Sequence, residues 1–203
     1  SVIERIQCRS PVPLEYVKFG NGLEEVGKYA FANCTNMTEI GIDFTSNLTY
    51  ISDYTFWNCR SLRSFAIPSG VTAIYDHAFE GCTDLGRTSV SGVLDLTGSA
   101  QGKKVNLEKI GYSVFKNCTG LAEVIFPEAI DNSSDVVDIN NFEGCSSLLH
   151  VGALSPYTSF GASQSTYTVK DFKEDVPDSI YFEAAGTSET HEFTKVNAIA
   201  YAD

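Results

Sequence analysis

The sequence predicts an α/β repeat solenoid, with parallel strands on one face and short helical turns on the other. Three observations carry that prediction. The first is a pattern, Phe-x-(Asn or Gly)-Cys, that occurs five times: at Phe31–Cys34, Phe56–Cys59, Phe79–Cys82, Phe115–Cys118 and Phe142–Cys145. Successive cysteines lie 25, 23, 36 and 27 residues apart. A recurring unit of this length buries its apolar face only by stacking on its neighbours. The second is a set of apolar positions at fixed spacing around each pattern. The third is the column Asn33, Asn58, Gly81, Asn117 and Gly144, which holds only the two residue types that most easily adopt positive φ.

One unit is read most simply from its second copy. Leu48 and Ile51 come first, then Phe56, Cys59, Leu62, Phe65 and Ile67, closed by Pro68. The first unit repeats this spacing with Leu23, Val26, Phe31, Cys34, Met37, Ile40 and Ile42, and the fourth with Leu107 through Phe126. The tail Phe65-x-Ile67 alternates with period two, as suits a short strand with one buried face. Proline just beyond it stops the strand. This reasoning places strands near 39–42, 64–67 and 123–126. The segment Asp76–Gly81 reads as a single helical turn, with Asp76 as N-cap and Gly81 as a left-handed C-terminal residue.

The ends and one interior stretch depart from the unit. Leu14, Val17 and Phe19 match Leu62, Phe65 and Ile67, so residues 1–19 hold the back half of a further unit. In that register Cys8 falls on the phenylalanine column. Five units then run to residue 153. The third loses its pattern at Thr88, and an insertion over about 91–106, a projecting loop or hairpin, interrupts it. Residues 154–203 lack the pattern and read as a capping region, with Ile180-Tyr181-Phe182 the best strand candidate.

The run Leu62 to Cys82, of the form Leu-x-x-Ile-x-Ile-Pro, Val-x-x-Ile, Ala-Phe-x-x-Cys, resembles the BspA-like leucine-rich repeats. The resemblance covers residues 14–153. It implies a right-handed leucine-rich solenoid on a secreted or surface-anchored protein, associated with adhesion to host or matrix proteins and with interbacterial binding. It carries no catalytic residue.

Composition narrows the partners. The chain has 203 residues and a net charge of −12. A phosphate backbone or an anionic membrane surface would be repelled, so nucleic acid is excluded as a partner. No apolar run reaches the roughly 18 residues of a spanning helix, so direct membrane insertion is not expected. No signal peptide is visible, and the start inside a degenerate repeat reads as a trimmed mature fragment. Localisation at the cell surface or outside the cell therefore follows from the resemblance alone.

Six cysteines in a secreted chain would ordinarily suggest three disulfides. The column argues otherwise. Stacked strands lie about 4.8 Å apart, whereas a disulfide wants Cβ atoms about 3.8 Å apart. Cys34, Cys59, Cys82, Cys118 and Cys145 are therefore expected as free, buried thiols that fill space as small apolar groups.

No chemistry-bearing constellation emerges. His77, His150 and His191 share no metal-ligand spacing, and Cys-x-x-Cys is absent. Neither an enzyme nor a cofactor is expected. Surface positions are more informative. The outward strand positions form one column, Tyr16, Glu39, Ser64, Arg87, Glu123 and His150, and a second column of mostly small residues, Lys18, Gly41, Ala66, Ser89, Ile125 and Gly152. Trp57 aligns with Ala32, Glu80, Lys116 and Glu143, a solvent-facing column, and is a candidate interface anchor. The leading expectation is a module binding a protein ligand through the outward strand column or the insertion. The alternatives are a passive spacer in a larger surface protein and a glycan-binding module that uses Tyr and Trp as stacking platforms.

Overall fold

The computed structural model describes residues 1–4, 6, 8, 13–43, 45–87, 92–98, 102, 104–130, 137–154, 160–161, 179–184 and 194–197. In chain order the strands are β1 (Val2–Ile3), β2 (Tyr16–Phe19), β3 (Glu25–Val26), β4 (Glu39–Ile42), β5 (Tyr50–Ile51), β6 (Ala73–Ile74) and β7 (Val93–Asp95). They continue with β8 (Lys109–Ile110), β9 (Glu123–Phe126), β10 (Val137–Asp138), β11 (His150–Ala153), β12 (Phe160–Gly161), β13 (Ser179–Ala184) and β14 (Thr194–Asn197). All pairings are parallel except β13–β14. Parallel pairing between successive units is what a coil of stacked turns must give, and the chain makes about five such turns.

Most units contribute two strand segments and a turn region; in the second unit the longer segment is a single bridge. The longer segments build the main ladders, β2–β4 and β7–β9–β11–β13–β14. The shorter ones pair as β1–β3 and β5–β6–β8. Alternation is visible in the burial of β4 and β9: Ile40, Ile42, Val124 and Phe126 point into the core, and Glu39, Gly41, Glu123 and Ile125 point outward.

The core is a set of columns parallel to the solenoid axis. Phe31, Phe56, Phe79, Phe115 and Phe142 are all buried. Their rings stack in sequence, with centroids 5.4, 5.1, 6.0 and 5.9 Å apart. The cysteine column lies beside them. The thiol of each unit donates to the phenylalanine carbonyl of the preceding one: Cys59 to Phe31 at 3.0 Å, Cys82 to Phe56 at 3.2 Å, Cys118 to Phe79 at 3.1 Å and Cys145 to Phe115 at 3.1 Å. A thiol is small enough for the column and still a weak donor, which explains cysteine there in preference to alanine.

The expected helical turns are tight turns. Among the described residues the one helix is a 3-10 turn at Ile139–Phe142. Each Phe-x-(Asn/Gly)-Cys segment is closed by a bond from the cysteine N–H to the phenylalanine carbonyl, as in Cys34 to Phe31 at 3.0 Å and Cys82 to Phe79 at 3.1 Å. The residue before cysteine is left-handed in all five units, with φ of 62° at Asn33, 58° at Asn58, 75° at Gly81, 60° at Asn117 and 72° at Gly144. That is the geometry of a type II turn, which needs Gly or Asn in this place. Asp76 does not cap its own turn; its carboxylate accepts the Tyr112 N–H of the next unit at 2.8 Å.

Glycine at two of these positions answers a second demand. A Cβ on Gly81 would lie 2.5 Å from the Asn58 side-chain oxygen, and one on Gly144 would run into the Asn117 side-chain oxygen. An asparagine in one unit therefore forces glycine in the next where its amide leans across.

The third unit differs from expectation. Val93–Asp95, placed by the sequence inside the insertion, is β7 and pairs with β9, with Leu94 opposite Val124. Leu94, Leu96, Val105 and Leu107 are all buried. The strand expected near 64–67 is reduced to a single bridge, Glu39 to Ser64. The main sheet is thus divided between Ser64 and Val93. At the C-terminal side β13 continues the sheet in parallel beside β11, and β14 returns antiparallel. The rest of 154–203, like Ser89, lies almost wholly outside the described residues.

Two substitutions test the columns. Phe79→Ala is expected to lower the unfolding free energy by about 3–5 kcal/mol in urea denaturation, because a buried aromatic site cannot collapse against neighbours fixed on both sides. Gly81→Val is expected to destabilise clearly, whereas Asn58→Gly should be nearly neutral, because only the first meets both a left-handed φ and a blocked Cβ position. Equal effects of the two would contradict the turn geometry.

Candidate interaction surface

The outward column of the main sheet is only partly as read from sequence. Tyr16, Glu39 and Ser64 are in lateral register on β2, β4 and the bridged residue, and all three are exposed. Glu123 and His150 are in register on β9 and β11. They form a cross-strand pair, His150 Nδ1 to Glu123 Oε1 at 2.7 Å. Arg87 is not in this column. It is exposed beside a turn, with its guanidinium 3.4 Å from Asp84 Oδ1, and Val93 takes the place opposite Glu123. The reason is the chain that intervenes after Gly86: the unit re-enters the sheet only at Gly92, whose carbonyl accepts from Ala122 and Glu123. A cavity of about 210 Å³ marks the division, lined by Arg63, Ser64, Phe65, Ala66, Val93, Leu94 and Asp95.

Trp57 sits away from that sheet, in the turn region, and is half-buried. Its surroundings hold the feature that sequence reasoning missed. Tyr29, Tyr54 and His77 occupy equivalent places two residues before the phenylalanine column. Their rings form a continuous stack, with centroids 4.7 and 4.6 Å apart and interplanar angles of 9° and 8°. All three residues are left-handed, with φ of 58°, 56° and 57°. The same column continues in Ser113 at 51°.

Left-handed backbone costs an L-residue about 1–2 kcal/mol, and a stacked aromatic pair returns about 0.5–1.5 kcal/mol. Backbone bonding supplies the remainder. The left-handed places alternate with phenylalanine, and this aims three N–H groups per unit at the next one. Tyr29, Phe31 and Asn33 donate to Asp53, Thr55 and Trp57 at 3.3, 2.9 and 2.7 Å. Tyr54, Phe56 and Asn58 donate to Asp76, Ala78 and Glu80 at 3.0, 2.8 and 2.8 Å. The turn region is therefore tied along the axis nearly as a sheet is. The signal in the sequence was the triplet Tyr, Tyr, His at constant offset from phenylalanine.

Ion pairs flank the stack. Lys28 Nζ lies 2.5 Å from Asp53 Oδ2, His77 Nδ1 2.7 Å from Glu80 Oε2, and Lys116 Nζ 2.7 Å from Glu143 Oε2. Burial first, then the charges of Tyr29, Glu80, Asp76 and Asp53, pushes the Tyr54 hydroxyl above the usual phenol range. Among the described residues no group of three or more His, Cys, Asp or Glu could hold a metal ion.

The cysteines need one correction. Cys59, Cys82, Cys118 and Cys145 are free and buried, as the column predicts. Burial pushes the Cys59 and Cys145 thiols up to about 12, and those of Cys82 and Cys118 well above their ordinary value. Cys34, expected as a free thiol, is joined to Cys8 in a disulfide. The thiol of each later unit reaches back to the phenylalanine place of the unit before, and in the first unit that place holds Cys8. The objection from strand spacing applies within the cysteine column and does not reach this pair. Closing a loop over a sequence separation of 26 stabilises by about 3–4 kcal/mol through the unfolded chain's entropy.

Parallel ladders, a phenylalanine spine and one turn region per unit define a solenoid of the leucine-rich repeat class. The BspA-type leucine-rich repeat region matches residues 3–101 and 103–165 in six copies, and the chain belongs to that family. A T. pallidum leucine-rich repeat protein (TpLRR) is similar with 27% identity and a TM-score of 0.57, over 72% of this chain and 59% of that one. A leucine-rich cell surface protein from Faecalibacterium prausnitzii A2-165 matches at 16% identity and a TM-score of 0.40, over 78% of this chain and 59% of its own. A leucine-rich repeat protein from Bacteroides ovatus ATCC 8483 matches at 18% and 0.38, over 84% and 62%. The chain thus spans 59–62% of the length of these structures. No curated protein matches it. Leucine-rich repeat proteins of this kind generally mediate protein interactions, and among the described residues no helix is long and apolar enough to cross a membrane.

Thiol titration tests the cysteine assignment. The native protein is expected to show almost no reactive thiol, the unfolded protein four without reductant, and the reduced, unfolded protein all six. Six before reduction would remove the disulfide, and two or fewer would show pairing inside the column.

Proposed function

We propose that this chain is the ligand-binding part of a surface-displayed adhesion module, and that it acts by binding a protein, with no catalytic step. The observation that carries this reading is the outward column of the main sheet. Tyr16, Glu39 and Ser64 present exposed side chains from strands held in register by backbone ladders. A rigid sheet offers such a column without backbone ordering cost on binding. The Cys8–Cys34 disulfide supports an exported setting, because disulfides persist in oxidising compartments.

Charge gives the partner its character. The chain carries −12, and Glu39 and Glu123 stand in the outward column. A partner with a basic patch would be steered toward this face and would associate faster at low salt. The sheet is divided at Ser64 and Val93, so such a partner meets one outward glutamate on each side of the division, Glu39 and Glu123.

Binding to immobilised collagen, laminin and fibronectin tests the reading. Glu39→Lys with Glu123→Lys is expected to slow association and lower affinity about tenfold, equivalent to about 1.4 kcal/mol, with only a small shift in unfolding, because neither residue is in the core and the loss there is the Glu123–His150 pair. Absence of binding to any matrix protein would remove the adhesion role. Affinity that ignores the double variant but falls on deletion of residues 99–103, which spares buried Thr97 and Val105, would move the site from the sheet to that segment.

A further inference from the structure

The division of the main sheet leaves a slot that the adhesion reading, which uses side chains of the outward column, does not explain. The slot is a cavity of about 210 Å³ with Arg63, Ser64, Phe65 and Ala66 on one wall and Val93, Leu94 and Asp95 on the other. Its width is set at one end by this chain's own Gly86. The Gly86 N–H donates to the Arg63 carbonyl at 2.8 Å. A Cβ on the same residue would lie 2.9 Å from the Gly92 carbonyl oxygen. One backbone therefore separates the walls there. At the next residue the chain turns out: the Arg87 N–H bonds back to the Asp84 carbonyl at 2.9 Å, and its side chain is exposed.

Both walls turn unpaired main chain toward the slot. Ser64, Phe65, Ala66 and Ile67 alternate exposed and buried, the mark of extended chain. In such a run the main-chain groups of every second residue face the same side. The Arg63 carbonyl faces Gly86, so the groups of Phe65 and Ile67 face the slot. Among the described residues no backbone bond joins either of them to another segment. On the opposite wall β7 pairs only with β9 among the described strands. Gly92 and Leu96 bond toward β9, so Val93 and Asp95 turn their N–H and C=O groups the other way. Phe65 and Ile67 are only 4% and 3% exposed. Main-chain groups so little reached by water are costly to leave unpaired, and sheet edges of this kind are ordinarily covered. The side chains add a preference. Phe65 and Leu94 are buried on opposite walls, so a strand between them must send an apolar group inward. Arg63 is exposed and forms no ion pair among the described residues. Asp95 instead takes the Thr97 N–H and hydroxyl at 2.8 and 2.5 Å. The free charge at the slot is therefore positive, in a chain that carries −12.

From these we infer that the slot between Phe65 and β7 takes one extended peptide strand from a protein partner, with apolar residues at alternate positions and an acidic residue beside Arg63. Main-chain bonds to the two edges supply the affinity, and the apolar floor and the arginine supply the selectivity. The bound strand joins the Ser64 side to β7 and makes the main sheet continuous.

Synthetic hexapeptides of alternating valine and threonine, with aspartate, asparagine or lysine placed at each position in turn, test this by fluorescence anisotropy against the full chain. An aspartate peptide is expected to bind saturably and its lysine counterpart not to bind. N-methylation of its alternate amides removes main-chain donors and keeps the side chains, and should weaken binding by about tenfold or more. Arg63→Gln should lower the affinity for the aspartate peptide to that for the asparagine peptide. Ala66→Trp, at an exposed position on the slot wall, should abolish binding of every peptide with an unchanged thermal melt. Should that variant melt early, hydrogen exchange in the wild-type chain decides: the amides of Phe65, Ile67, Val93 and Asp95 should slow when the aspartate peptide is added. No saturable binding by any of the peptides, an affinity indifferent to N-methylation, or slowing of these amides by self-association without peptide would overturn the inference. None of these outcomes depends on whether the chain binds collagen, laminin or fibronectin.

Discussion

The structure depends on one constraint: no unit can bury its phenylalanine alone. Each of Phe56, Phe79 and Phe115 is covered on its flat faces by the rings before and after it. The carbonyl of the same residue takes the thiol of the following unit. Side chain and main chain of one residue thus both look along the axis. Stability in such an array is close to a sum over neighbouring interfaces. Where Cys8 stands in the place of a phenylalanine, the contact between neighbouring units is covalent.

The turn region follows from the same demand. For the next unit to stack in register, N–H groups must point along the axis, and the left-handed residues that alternate with phenylalanine achieve this. Glycine and asparagine satisfy the column before cysteine at little cost. Tyrosine and histidine in the earlier column do so only because their rings stack. A stacked aromatic ladder therefore comes with an axially bonded backbone beneath it.

Much of this was legible in the residues. Columns of Phe, Cys and Asn/Gly at constant offsets fix unit length, burial and backbone sign, and all five positive φ values follow from residue type alone. The misses have physical causes. The helical turn was read from Asp76 and Gly81, but a cap needs its own helix, and the Asp76 carboxylate serves the next unit. Arg87 was placed in the sheet by assuming that the third unit keeps its length. The alternation Leu94-x-Leu96, which marks the true strand, lay hidden in what looked like an insertion. Cys8 was recognised on the phenylalanine column, yet its neighbour there is a cysteine Sγ and not another ring. Tyr29, Tyr54 and His77 escaped because residue type gives no hint that a tyrosine will take positive φ.

Amide hydrogen exchange followed by NMR tests most directly whether the units are locked through the turn region. The N–H groups of Phe31, Phe56 and Phe79 and of Asn33, Asn58 and Gly81 belong to no named strand, yet each donates to the next unit. Their exchange should be as slow as that of the β4 and β9 amides, opening only with the whole solenoid. Exchange at rates typical of exposed loops, with β4 and β9 still protected, would show that the sheet alone holds the units and that the phenylalanine spine is a consequence of the fold.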